Sequence, residues 1–70
     1  MKLSARNSLA GTIRKITPGA VNAEVEIEVA PGVVITSIIT MSSVQSLGLK
    51  EGGEAFAVIK ASNVMIGVDH

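Results

Sequence analysis

Cysteine is missing from this 70-residue chain, and histidine and aromatic residues occur once each, as His70 and Phe56. Without Cys no disulfide or thiolate metal site can form, and one terminal His, predicted to be disordered, gives no basis for a metal-cation site. Six basic residues balance six acidic ones, so charge does not favour nucleic acid or an anionic membrane as a partner. No apolar run approaches the roughly 20 residues that span a bilayer, and Met1–Ser4 lacks a signal-peptide core. A cytoplasmic location is therefore expected.

Apolar residues, in contrast, are abundant. They make up 47% of the chain, and the mean hydropathy is +0.50. A domain of this size has a small core that is only marginally stable. Part of the apolar surface is therefore expected to be buried against other copies of the chain.

The apolar pattern predicts mainly β-strands. The clearest segment alternates apolar residues from Val21 to Val29 with Glu24, Glu26 and Glu28, which predicts a strand with one buried face and one solvated, acidic face. Turns are predicted at Thr17-Pro18-Gly19 and Pro31-Gly32. Together with these, the spacing predicts strands over residues 3–16, 21–29, 33–40, 55–61 and 63–68.

One short helix interrupts the strands. Ser42 followed by Gln45 matches a capping box with Ser42 as the N-cap, and Gly48 stands where the helix would end. We therefore predict an all-β fold, a five-stranded OB-like barrel with one short helix between strands 3 and 4, formed by a single domain of residues 1–70. An SH3-like barrel is the main alternative.

Three separated segments carry hydrogen-bond donors without a carboxylate among them. They are Ser4-Ala5-Arg6-Asn7, Thr40 and Lys60-Ala61-Ser62. Hydroxyl, guanidinium, ammonium and backbone N–H groups together suit an oxyanion. Ser4 and Arg6 share strand parity and are expected on one face, whereas Asn7 has the opposite parity and is expected to be structural. A lone Arg such as Arg6 is usually a solvated surface residue or an ion-pair partner, and Lys60 alone would be a strand-end lysine that keeps the edge soluble.

Other classes of function have less support. An OB-type nucleic-acid module needs stacking aromatics and a basic groove. An enzyme of this kind needs a nucleophile next to a general base, and no such pair is visible in this sequence. We predict no enzymatic activity. An OB-type nucleic-acid or regulatory interaction module is kept as the alternative function.

The chain resembles molbindin, the Mop family of small molybdate-binding proteins. The resemblance is carried by Ser4-Ala5-Arg6-Asn7 with Leu9 and Gly11, by Ser37–Thr40 leading into Ser43-Val44 and Leu47-Gly48, by Glu51-Gly52, and by Ala57–Ser62 with Val64. It implies an OB-like fold, a homo-hexamer built as a trimer of dimers, and molybdate or tungstate bound at subunit interfaces. Storage, buffering or delivery of the ion would be the role, without a cofactor.

The resemblance also implies which residues bind. Ser4, Arg6, Thr40, Lys60 and the backbone N–H of Ala61 would form the interface site, with Ser62 as an additional donor. Two cations would balance a dianion that is costly to remove from water. A possible second oxyanion site near a threefold axis is assigned to the turn Gly19, Ala20, Val21 and Asn22.

Overall fold

The computed structural model describes residues 1–69, so the prediction for His70 lies outside the described residues. The elements are β1 (Asn7–Pro18), β2 (Asn22–Ala30), β3 (Val33–Thr40), α1 (Met41–Ser46), β4 (Glu54–Ile59) and a 3-10 helix (Ala61–Asn63). The strands form one curled antiparallel sheet in the order β3-β2-β1-β4. The all-β class and the single short helix between β3 and β4 are confirmed.

The predicted fifth strand is not formed within residues 1–69, where four strands occur. Residues 64–69 have no regular secondary structure. Met65 and Ile66 are 91% and 88% exposed, so this apolar tail finds no surface of its own chain to cover it. Strand-forming side chains alone do not make a strand, because a strand also needs an edge to pair with.

The strand β2 carries the core, as its alternation predicted. Ala23, Val25 and Ile27 are buried, whereas the Glu residues between them are exposed or half-buried. Ile13, Val44 and Ala57 complete the buried cluster from β1, α1 and β4. Val21, predicted to lie on the buried face, instead precedes β2 and is 70% exposed.

The strand β1 bends at a bulge between Ile13 and Lys15, and the loop before β4 supports this bend. The N–H of Ile13 donates to the carbonyl of Gly53, and the N–H of Gly52 donates to the carbonyl of Ile13, both at 2.8 Å. A carboxylate oxygen of Glu51 accepts from the N–H of Ile16 at 3.0 Å. Bulges increase the local twist, so this arrangement helps the sheet curl over its small core.

Four predicted boundaries are wrong by two or more residues. Strand β1 begins at Asn7 rather than Leu3 and continues through Thr17 and Pro18, where a Pro is tolerated because the strand ends there. Strand β4 ends at Ile59, because a 3-10 turn takes over at Ala61. The N-cap of α1 is Thr40 and not Ser42, because the Thr40 hydroxyl accepts from the N–H of Ser43.

The other end of the helix follows the sequence. Leu47 is the C-cap, and Gly48 after it has a φ of +64°. A glycine takes this left-handed conformation at little cost and lets the chain leave the helix toward β4.

Much apolar surface is exposed in the isolated chain. Its accessible surface is 5476 Å², whereas a folded monomer of 7.2 kDa is expected to expose about 4,100 Å². The exposed large hydrophobic side chains are spread over the strands, the connection between β1 and β2, the C-terminal end of the helix and the two terminal segments; among them are Leu3, Leu9, Val21, Ile38, Leu47, Phe56, Met65 and Ile66. The chain therefore exposes more surface than a stable monomer of its size.

Candidate functional site

Two cationic residues flank the point where β1 begins and β4 ends. The last pair of the ladder between these strands is Asn7 with Ile59. Arg6 precedes Asn7 and Lys60 follows Ile59, so both cations leave the sheet at the same point. Ser4 lies two residues before Arg6, and Ala61 and Ser62 follow Lys60. We call this group the cation end, defined as Ser4, Arg6, Lys60, Ala61 and Ser62.

The cation end has no internal counter-charge. The sequence contains no Asp or Glu from residue 1 to 23 or from residue 55 to 68. Within residues 1–69 the ion pair that forms joins Arg14 to Glu28, at 3.5 Å, on the other part of the sheet. Arg6 and Lys60 are both exposed. Two neighbouring positive charges without an acidic partner attract anions.

The 3-10 turn adds backbone donors to the same place. Lys60 is its N-cap, and the turn is closed by bonds from the N–H of Asn63 to the carbonyl of Lys60 at 2.9 Å and from Val64 to Ala61 at 3.2 Å. Neither of these bonds uses the N–H of Ala61 or Ser62. The first N–H groups of a helical turn have no acceptor inside it, which makes them suitable donors to a bound oxygen.

Hydroxyl groups cluster at the opposite end of the sheet, around Thr40. Its Oγ1 accepts from the N–H of Ser43 at 3.1 Å and donates to Oγ of Ser43 at 2.9 Å, and Oγ of Ser42 donates to it at 3.5 Å. Thr40 also pairs with Asn22, the first residue of β2. We call Asn22, Thr40, Ser42 and Ser43 the hydroxyl end. Ser43 was not among the predicted site residues, although the spacing Thr40-x-x-Ser43 is a capping signal.

The structure therefore brings five predicted site residues together and keeps Thr40 apart from them. The cation end lies beyond Asn7, whereas Thr40 lies beside the other end of β1, where Pro18 pairs with Ala23. Along the strand, Asn7 and Pro18 are eleven residue steps apart. Among residues 1–69, the hydrogen bonds of Thr40 are made with Ser42 and Ser43, and none joins it to the cation end.

Ser4 and Arg6 do not share a face of a strand, as their spacing predicted, because both residues precede β1. Their chain-neighbour relation to the ladder end, rather than a shared strand face, is what places them. Asn7, expected to be structural, donates from Nδ2 to the carbonyl of Ile59 at 3.2 Å and is half-buried.

The residues of the possible second site form the connection between β1 and β2. Gly19, Ala20, Val21 and Asn22 are all exposed. The N–H of Gly19 donates to the carbonyl of Asn22, and the N–H of Met41 donates to the carbonyl of Val21, both at 2.8 Å. This connection is thus attached to the start of α1 and adjoins the hydroxyl end.

Across residues 1–69, no three His, Cys, Asp or Glu side chains lie close enough together to hold a metal ion. No helix in the described part of the chain is long and apolar enough to cross a bilayer.

Comparison with known sequences places this chain among molybdenum-related proteins. The profile of the TOBE domain matches residues 3–66. Molybdenum-pterin-binding protein 1 of Clostridium pasteurianum is 52% identical over 66 residues, which cover 94% of this chain and 97% of that protein.

Comparison with solved structures gives the same grouping. MopII from Clostridium pasteurianum superposes with a TM-score of 0.89 at 49% identity, covering 96% of this chain and 100% of that one. ModG, described as a cytoplasmic molybdate-binding protein and solved with molybdate bound, superposes with a TM-score of 0.93 at 55% identity. That match covers 99% of this chain and 49% of the ModG chain.

Proposed function

The chain belongs to the TOBE domain family and groups with its molbindin, or Mop, members, and on that premise we propose that it binds molybdate or tungstate reversibly. The bound ion is the protein's cargo. No catalysis and no cofactor are involved, and neither nucleic acid nor a membrane is a partner. The protein works in the cytoplasm, where it stores, buffers or delivers the oxyanion.

The observation that carries this proposal is the pair of cations at the end of the β1–β4 ladder. Arg6 and Lys60 flank the last strand pair, and neither has an acidic partner among residues 1–69. Molybdate is a tetrahedral dianion at neutral pH, so two positive charges match it. The guanidinium of Arg6 can hold two oxygens at once, and the ammonium of Lys60 acts as a compact charge. Ser4, Ser62 and the N–H of Ala61 supply neutral donors.

Thr40 enters the same site from another copy. In the sheet it lies at the opposite end of the β1 ladder from the cation end, and it contributes where two copies meet with opposite ends adjacent. Its hydroxyl keeps a lone pair for the N–H of Ser43 and can turn its proton, now donated to Ser43 Oγ, toward an oxyanion oxygen. A homo-hexamer built as a trimer of dimers repeats this contact, and the connection of residues 19–22 is the candidate for a second site.

The apolar tail provides a reason for assembly. Residues 63–68 become the fifth strand on a neighbouring copy, in the cleft of about 400 Å³ between β3 and β4 that Ile35, Ser37, Phe56 and Val58 help to line. Both β3 and β4 are edges of the sheet, so each offers unpaired backbone groups to an added strand. The excess accessible surface, roughly 1,400 Å² above the monomer expectation, is enough for a standard interface, which takes about 800 Å² per partner.

Light scattering at micromolar concentration tests the assembly. The parent chain is expected to be a hexamer, and Ile66→Asp to dissociate it, because a carboxylate would be buried in the added strand. Lys50→Asp, on an exposed loop, is the matched control and should leave the assembly intact. A folded parent monomer of 7.2 kDa would contradict the assembly and the shared site together.

Calorimetry with molybdate, tungstate, sulfate and phosphate tests the function. Molybdate and tungstate are expected to bind best. Sulfate has the same charge but is smaller, so some donors would stand at poor distances. Phosphate is partly protonated at neutral pH, and its hydroxyl needs an acceptor. The hydroxyl groups of Ser4, Thr40 and Ser62 could accept it, whereas Arg6, Lys60 and the Ala61 N–H cannot. Equal affinity for all four ions would mean that the site recognises charge alone.

A further inference from the structure

Asn7 differs from its neighbours at the cation end. Arg6 and Ser8 are exposed, whereas Asn7 is half-buried. It is paired with Ile59 in the last step of the β1–β4 ladder, and its side-chain Nδ2 also donates to the Ile59 carbonyl at 3.2 Å. The final pair is therefore held by a side chain as well as by the backbone.

This extra bond lies next to two positive charges. Arg6 and Lys60 are the next residues outward on the two strands. Continuing the register by one residue would set them opposite each other, with Cβ atoms about 5 Å apart. Their repulsion favours opening of the last pair, and strand ends are the parts of a sheet that open most readily. A bond from Asn7 to Ile59 opposes that opening directly.

We propose, on the basis of the proposed oxyanion site, that Asn7 is a positioning residue that sets the separation of Arg6 and Lys60 and thereby the site's preference for large oxyanions. Asn7 itself does not touch the ion. With the last pair closed, the two cations stand at a fixed distance suited to a large tetrahedral dianion. With it open, they move independently and attract any dianion by charge alone.

Loss of the Asn7 amide should change the affinity for molybdate and the selectivity over sulfate to different extents. Removing the Asn7 amide leaves both charges and all donors of the cation end in place. The affinity for molybdate should then fall about three- to tenfold, the range expected from losing one ordinary hydrogen bond. Sulfate, which gains less from the fixed geometry, should lose less, so the ratio of the two affinities should shrink. A residue that only stabilises the fold would leave that ratio unchanged.

The test is calorimetry of the full-length parent, Asn7→Ala, Asn7→Ser and Ser8→Ala with molybdate and with sulfate. Asn7→Ser keeps a polar group at the half-buried position but is too short to reach Ile59, so it serves if Asn7→Ala does not fold. Ser8→Ala is the matched control on the adjacent exposed position of β1. We expect the molybdate-to-sulfate ratio to fall in both Asn7 variants at unchanged stoichiometry, and to stay at the parent value in Ser8→Ala.

Two results would count against the inference in different ways. If the parent binds molybdate selectively and the Asn7 variants keep its ratio, Asn7 is a structural residue and the positioning role is wrong. If the parent binds no oxyanion, the proposed function fails and the positioning role fails with it. Faster amide hydrogen exchange at Ile59 in the Asn7 variants, with Val25 in the core unchanged, is the accompanying expected result.

Discussion

The two ends of the sheet handle their polar groups in opposite ways. At the hydroxyl end, Thr40 and Ser43 satisfy each other, with one hydroxyl both accepting from a backbone N–H and donating to a side chain. At the cation end, Arg6 and Lys60 have no acidic partner among the residues described. The hydroxyl end is locally complete as a helix cap. The cation end carries two exposed positive charges that can attract an anion, and this difference is why we propose binding there.

The largest expected effect is the loss of Lys60. Lys60→Ala should weaken molybdate binding by about 2–5 kcal/mol, or roughly 30- to 5,000-fold, because the dianion would be under-neutralised in a desolvated site. The folded state should be unaffected, since the side chain is exposed. Calorimetry measures the effect, and Lys50→Ala, which removes an exposed charge elsewhere, is the control. Equal losses in the two variants would show that only overall charge matters.

A smaller effect is expected from Arg6→Lys, which preserves charge. A lysine cannot offer the planar fork that holds two oxygens, so binding should weaken by about 1.5–3 kcal/mol, the value of a hydrogen bond to a charged group. Circular dichroism and light scattering should show an unchanged fold and assembly. If Arg6→Lys and Lys60→Ala both bound molybdate like the parent, the site would lie elsewhere, and the connection of residues 19–22 would be the next candidate.

The smallest effect concerns the hydroxyl end and is seen first in stability. Thr40→Ala removes the cap of α1 and should lower the free energy of unfolding by about 1 kcal/mol. For a chain of this size that corresponds to roughly 4–8 °C in the thermal midpoint, compared at one protein concentration.

Thr40→Asp distinguishes the capping role of Thr40 from a role in binding the oxyanion. A carboxylate also caps a helix, so stability should return toward the parent value. If Thr40 faces an oxyanion bound by another copy, the same carboxylate should repel it, and molybdate affinity should fall while the thermal midpoint recovers. Recovery of both properties would limit Thr40 to its capping role.

Several features of the fold followed from local patterns. The core face of β2 was predictable because Val and Ile alternate with Glu, and a strand has a side-chain period of two. The end of α1 was predictable because Gly48 takes a positive φ that other residues avoid. The N-cap was misplaced by two residues, since Thr40, Ser42 and Ser43 all have capping side chains and the geometry of entry from β3 selects among them.

In the candidate site, too, local sequence patterns predicted some features correctly and others wrongly. Residue types alone indicated an oxyanion, because Ser4, Arg6 and Lys60 are donors in segments that contain no acid. Strand parity was the wrong reason for grouping Ser4 with Arg6, because the strand starts only at Asn7.

The sequence by itself determined the strand character, the core alternation of β2, the helix end and the donor chemistry, all of which depend on residues close together in the chain. Arg6 and Lys60 are 54 residues apart in the sequence, and tertiary structure alone decided that they flank the same strand pair. The pairing of Asn7 with Ile59 is one among many possible registers. Tertiary structure also decided that Thr40 lies at the far end of the sheet and that residues 64–69 are left without a strand partner. Long-range pairing depends on which edges remain available once the core is packed, and no local pattern encodes that availability.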